Sequence, residues 1–168
     1  MDADLLFPRL VRAHTGDVWT TALRLTGSRP DAEDLVQEVF TSAWTALSSW
    51  PPERLEALQP RAWLVTITLN LWRNSLRSAS RRPRTSALLE HDVDRAAAVH
   101  LPDALDETER LGALVALLPE AYRAPVVLRH VVGLSYAEIA SALDCPPGTV
   151  KAQVSRGLAL LRKELSWT

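Results

Sequence analysis

Residues 134–162 restrict the fold more than any other part of this chain, because two helix-forming stretches meet there at an interruption that neither can cross. The first stretch, Leu134-Ser-Tyr-Ala-Glu-Ile-Ala-Ser-Ala-Leu143, opens on a capping box formed by Ser135 and Glu138 and carries an apolar face of Ile139, Ala140 and Leu143. Asp144-Cys145-Pro146 stops it, since a proline lacks the N–H that a helix interior needs, whereas Pro147 fits the first turn of a new helix. The second helix runs to Arg162 with Val150, Val154, Leu158 and Leu161 on one stripe, which must be core. The spacing predicts a helix, a tight turn and a helix.

The remaining residues of the second helix suit the major groove of duplex DNA. Thr149, Gln153 and Arg156 are read as the outward face, with Lys151, Ala152 and Ser155 at its borders and Pro147 at its start. In such a motif the N-terminal part of the second helix meets base edges, while lysine and arginine meet phosphates. From Cys145 to Lys163 the charges are Lys151, Arg156, Arg162 and Lys163, with no acid in the segment. A short capped first helix, a tight turn and a nearly acid-free second helix together point to DNA binding.

The net charge of −1 and pI near 6.4 look unsuited to that task, but local field depends on where charge sits. Residues 1–60 hold nine acids and five arginines, whereas residues 61–89 hold six arginines and no acid. Residues 90–109 reverse the sign, with seven acids against Arg95. Two basic surfaces are thus expected to flank an acidic connector, which is read as a solvated linker or as a shield for the basic surfaces when DNA is absent.

Helical periodicity without a convincing alternating strand pattern predicts an all-α fold of two small helical domains joined by a flexible linker. Ser28-Arg-Pro-Asp31 resembles a capping box, and Asp31, Glu33 and Asp34 sit in a first turn where the helix dipole favours anions. The helix that follows places Leu35, Val36, Val39, Phe40, Ala43, Trp44 and Leu47 on an apolar face, and Asp34, Gln37, Glu38 and Thr41 on a polar one. Residues 48–59, with Pro51 and Pro52, break the pattern, and another helix is expected from Pro60 to about Ala79. On it Trp63, Thr66, Asn70, Arg73 and Arg77 share a face at spacings of three or four. That basic face, with an aromatic and an amide, can hold an unpaired strand by phosphate attraction and base stacking.

Several function classes fall away. Cys145 is the single cysteine and the four histidines are scattered, so neither an internal disulfide nor a zinc site is expected, and no cofactor is. Cys145 and Tyr136 are read as packing residues. No paired carboxylates, nucleophile and base, or phosphate-cradling glycine loop stands in an interpretable context, so the chain is read as no enzyme. Its apolar runs are too short for a membrane span and its start is acidic, which leads to an expectation of cytoplasmic location without membrane insertion.

These motifs, in this order, resemble the extracytoplasmic-function (ECF) group of sigma-70-type sigma factors. The resemblance rests on Ala22-Leu-Arg-Leu-Thr-Gly27, Asp31-Ala-Glu-Asp-Leu-Val-Gln-Glu-Val-Phe40, Ala43-Trp44 and Arg61-Ala-Trp-Leu64 in the first half. In the second half it rests on Leu117-Leu-Pro-Glu-Ala-Tyr-Arg123, Val127-Leu-Arg-His-Val-Val-Gly-Leu-Ser-Tyr-Ala-Glu-Ile-Ala140 and Gly148-Thr-Val-Lys-Ala-Gln-Val-Ser-Arg156. It implies sigma domain 2 over residues 1–85, an acidic linker over 86–106 and sigma domain 4 over 107–168.

By the same resemblance, Asp31, Asp34, Gln37 and Glu38 dock on the clamp of the largest subunit of core RNA polymerase. Trp63, Thr66, Asn70, Arg73 and Arg77 read and melt the minus-10 element of promoter DNA, and residues 50–59 form a base-reading loop. Pro147, Thr149, Lys151, Ala152, Gln153, Ser155 and Arg156 read the minus-35 duplex. An anti-sigma factor is a further expected partner.

Departures from the family pattern include Gln153, where an arginine is common, and Pro125, expected to set a helix start or a kink. The residues themselves leave a rival open: a stand-alone regulator that binds a duplex operator.

Overall fold

The computed structural model describes residues 3–81 and 107–165, which form helices and no strand, as an all-α chain should. The helices are α1 (Ala3–Thr26), α2 (Arg29–Leu47), α3 (Pro52–Glu56), α4 (Pro60–Arg81), α5 (Glu107–Leu117), α6 (Glu120–His130), α7 (Tyr136–Leu143) and α8 (Pro147–Leu165). They group as α1, α2 and α4 packed on one another, and α5 to α8 packed around α6 and α8. The greater part of the acidic block lies outside the described residues, and so does the region joining the groups.

The turn into α2 follows from two residues. Gly27 takes φ 69°, where a side chain would be strained, and Ser28 is extended and accepts a bond from the Asp31 amide at 3.4 Å. Ala32, Leu35, Val39, Ala43 and Leu47 are then buried, every three or four residues. The other apolar residues of α2 form a second, shallower stripe. Val36 and Phe40 are half-buried, and Trp44 is exposed at its edge, with Phe7 of α1 lying 6.5 Å from Phe40 and 5.2 Å from Trp44 between ring centroids.

Helix α3 occupies the stretch where the sequence shows only a break. Pro51 is the extended residue that caps it, Pro52 fixes φ at its first position, and buried Leu55 ties it to the core. Helix α4 buries Leu64, Val65, Leu69 and Trp72, together with Thr68, whose hydroxyl donates to the Leu64 carbonyl at 2.8 Å. Trp72 is the largest fully buried side chain of the described residues.

In the second group Pro119 precedes α6 and fixes its start, so Pro125 lies buried inside the helix and does not begin it. Gly157 of α8 allows a close crossing, because a Cβ there would run into Val126 and Tyr122 of α6. The expected capping box of α7 is present: Ser135 Oγ accepts from the Glu138 amide at 3.2 Å, and Glu138 Oε2 accepts from the Ser135 amide at 2.7 Å. Asp144 ends α7 in the left-handed region at φ 52°, which aspartate tolerates better than most residues.

The two groups touch. Helices α5 and α6 lie against α1, and Gly27 permits the close approach, since a Cβ there would meet Ala116, whereas a Cβ at Gly112 would displace only the end of the Arg24 side chain. Arg123 crosses the boundary, donating from Nη1 to the Leu25 carbonyl at 2.8 Å and from Nε and Nη2 to the Leu118 carbonyl at 3.1 and 2.9 Å.

Candidate nucleic-acid interface

Helix α8 buries Val150, Val154, Gly157 and Leu161 and turns Pro147, Thr149, Lys151, Ala152, Ser155 and Arg156 outward. Six of the seven residues expected to face the minus-35 duplex are therefore exposed at the start of the second helix of the motif. Gln153 departs from its expected place opposite the core. A helix advances about 100° per residue, which puts Gln153 one step from Val154 on the side of Val150 and Gly157. It sits at the margin of the core stripe, half-buried, while Ala152 and Ser155 take the centre of the outward face. Its Oε1 is buried without a hydrogen-bond partner among the described residues, in the wall of a cavity of about 240 Å³ that also holds Arg73, Glu120 and Cys145. Cys145, expected to be buried, is only partly so.

The packing that presents α8 comes from α7. Its apolar residues Ile139, Ala140 and Leu143 are buried, and Tyr136 lies 4.8 Å from the Arg129 guanidinium, in the packing role expected of it. Glu138 is held below the usual carboxylate range, chiefly by the bonds from Ser135 and further by the positive charge of Arg61.

Helix α4 carries the second surface. Asn70 and Arg77 are exposed, while Trp63, Thr66 and Arg73 are half-buried. Trp63 is neither core nor free: its ring lies 4.9 Å from that of Trp50, and the Arg54 guanidinium sits 3.9 Å from the centre of the Trp50 ring. The result is a ladder of cation, indole and indole at the head of α4, contributed by the loop before α3, by α3 itself and by α4. Sequence reasoning reached the loop but not the ladder. The signal was present as two tryptophans flanking a proline-rich break with an arginine inside it. Such a ladder offers a flat π-face and a positive charge together, which is what an unpaired base and its phosphate require.

The third surface is the polar side of α2, where Asp31, Asp34, Gln37 and Glu38 are all exposed. Asp31, Asp34 and Glu38 line a cavity of about 290 Å³ with Trp72 and Arg123. Burial pulls the Arg123 pKa below its ordinary value, and Glu120 partly offsets that. Sequence reasoning gave Arg123 no role, because its partners in the other group, the Leu25 carbonyl and the Trp72 ring, lie far away along the chain.

Two helical groups, one with an exposed helix-turn-helix and one with a basic aromatic helix beside an acidic one, define a two-part all-α protein with surfaces suited to nucleic acid. Residues 10–82 match the family model for sigma-70 region 2, and residues 108–161 match that for sigma-70 region 4. The ECF sigma factor SigE of Mycolicibacterium smegmatis is 38% identical over 162 residues, covering 94% of this chain and 60% of the relative, so the chain spans less than two thirds of that protein. The ECF sigma-E factor of Haemophilus influenzae is 31% identical over 148 residues, covering 82% of this chain and 76% of the relative. The fold matches that of the sigma factor RpoE of Bartonella quintana, solved with the anti-sigma factor NepR, at a TM-score of 0.74 and 24% identity over 95% of this chain and 96% of that one.

The chain belongs to the ECF sigma factors of the sigma-70 family. Members direct transcription initiation through core RNA polymerase and promoter recognition and are not themselves catalytic. No helix among the described residues is long and apolar enough to cross a membrane.

Proposed function

We propose that this chain is a dissociable promoter reader divided into residues 1–85, a connector over 86–106, and residues 107–168. The outward face of α8 reads the minus-35 duplex: Thr149, Ala152, Ser155 and Arg156 approach base edges, Lys151 approaches phosphate, and Pro147 sets the angle of entry. Gln153 acts at the edge of this set. Asn70, Arg73 and Arg77 hold the backbone of the opened minus-10 strand, while Trp63 and Thr66 meet its bases. Binding only the separated strand shifts the duplex toward opening. Asp31, Asp34, Gln37 and Glu38 dock on the largest-subunit clamp of core polymerase, which supplies the nucleotide chemistry.

The observation that carries this reading is the Arg54, Trp50 and Trp63 ladder in the same chain as a helix-turn-helix. A stand-alone operator binder has use for the second and none for the first. The complex of the Bartonella quintana protein with NepR supports an anti-sigma factor as a further partner, and cytoplasmic location follows from work on polymerase and DNA. Charge reversal at Asp34 and Glu38 tests the assignment: loss of core polymerase binding with duplex binding intact is expected, whereas unchanged core binding moves the docking site elsewhere.

A further inference from the structure

We propose that Lys151 is an acylation switch for duplex binding: its amine takes an acyl group from an acyl phosphate, and the loss of one cation loosens the minus-35 contact while the surfaces of α2 and α4 keep their charge. This rests on the reading of α8 as the helix that meets the duplex.

Nineteen residues of the chain are lysine or arginine, and two of them are lysines, Lys151 and Lys163. The difference matters because a guanidinium stays protonated and keeps no lone pair for attack, whereas an ammonium can give up its proton and become a nucleophilic amine. Arg73 and Arg77 of α4 are thus inert to an acyl donor, and α2 offers it no lysine. Both lysines lie on α8, and Lys151 stands on the outward face.

Lys151 is also the more open of the two. It is exposed and, among the described residues, has neither a hydrogen bond nor an ion pair, whereas Lys163 is engaged in an interaction. Pro147, Gly148, Val154 and Ser155 stand one turn away on its side of the helix, and no acid is among them. Gly148 leaves the approach clear, since even a Cβ there would meet nothing within 4 Å. The segment from Cys145 to Lys163 carries no acid, and the start of α8 is the positive end of a helix dipole, so an anionic donor is drawn to this amine.

In the transfer the neutral amine attacks the carbonyl carbon of the acyl phosphate. A C–N bond forms, the C–O bond to phosphate breaks, and phosphate leaves with that electron pair and takes up the amine proton. The product is an uncharged amide at Nζ, which no longer neutralises a phosphate of the duplex. Each neutralised phosphate contributes about 0.9 to the slope of log affinity against log salt, so its loss weakens binding about eightfold at about 0.1 M salt and hardly at all near 1 M.

The full-length chain, treated with acetyl phosphate and read by peptide mass spectrometry, should be acetylated faster at Lys151 than at Lys163, and bound duplex should protect Lys151. Equal rates at the two lysines overturn the site. Lys151→Nε-acetyllysine, installed by codon suppression, should bind a fluorescein-labelled duplex about eightfold more weakly at about 0.1 M salt, with a salt slope smaller by about 0.9. Unchanged affinity and slope overturn the switch. Lys151→Arg refuses the acyl group, so acetyl phosphate should weaken the natural chain and leave this variant at its own untreated affinity; equal weakening of both overturns the assignment to Lys151. If the untreated natural chain binds no duplex, the reading of α8 itself fails, an outcome distinct from a chain that binds duplex equally well with and without the acyl group.

Discussion

Replacing Ser135 with alanine removes one half of the box that starts α7, the bond from the Glu138 amide to Ser135 Oγ at 3.2 Å. Loss of an N-cap hydroxyl costs about 1 kcal/mol, and for a helical unit of this size that lowers the melting midpoint by roughly 4 to 8 °C. The same change acts on Glu138, because the Ser135 hydrogen bonds are the main cause of its depressed pKa. A carboxylate whose pKa is lower folded than unfolded stabilises the fold above its unfolded value of about 4.3 and loses that contribution as the pH falls through its folded value. The deficit of Glu138→Gln at neutral pH should therefore shrink as the solution is acidified below about 4.

Thermal melting of the full chain with amide exchange on α7 gives the first readout, and an NMR titration of the Glu138 carboxyl gives the second. Ser135→Ala should raise the Glu138 pKa toward its ordinary range while unprotecting the first turn of α7. Unchanged α7 protection together with an unchanged Glu138 titration would refute the claim that this box holds the motif.

Four more substitutions address the surfaces and the core. Trp72→Ala empties the largest fully buried position and should cost about 3 to 5 kcal/mol, read by urea unfolding of the α1, α2 and α4 group. Lys151→Ala and Arg156→Ala should each lessen the slope of log affinity against log salt for duplex DNA by about 0.9, provided each neutralises one phosphate; Arg156→Ala should also relax base preference if it reads a base. Trp50→Ala should weaken single-strand binding by about 1 to 3 kcal/mol in fluorescence polarisation and leave duplex binding unchanged.

Local features were legible in the sequence and distant ones were not. Ser28, Ser135 and Glu138 act within one turn of chain, so the starts of α2 and α7 could be read directly. The break at residues 48–59 hid α3, because a five-residue helix shows no full period and depends on Leu55 reaching the core. The apolar residues of α2 read as one face, yet Phe7 had to come from another helix to half-cover Phe40. Gln153 faces outward less than its polar side chain suggests, because it flanks Val154 on the side that Val150 and Gly157 occupy. Arg123 was invisible for a plainer reason: its acceptor at Leu25 and its ring at Trp72 lie in the other half of the chain, where no spacing rule reaches.

The central claim is that one chain both recruits polymerase and opens promoter DNA, and run-off transcription with purified core polymerase on native promoter fragments tests it most directly. The account predicts a transcript of defined start that requires this chain and is lost in an Asp34→Arg, Glu38→Arg double variant that still binds duplex. Duplex binding without any promoter-dependent transcript from the natural chain would contradict it.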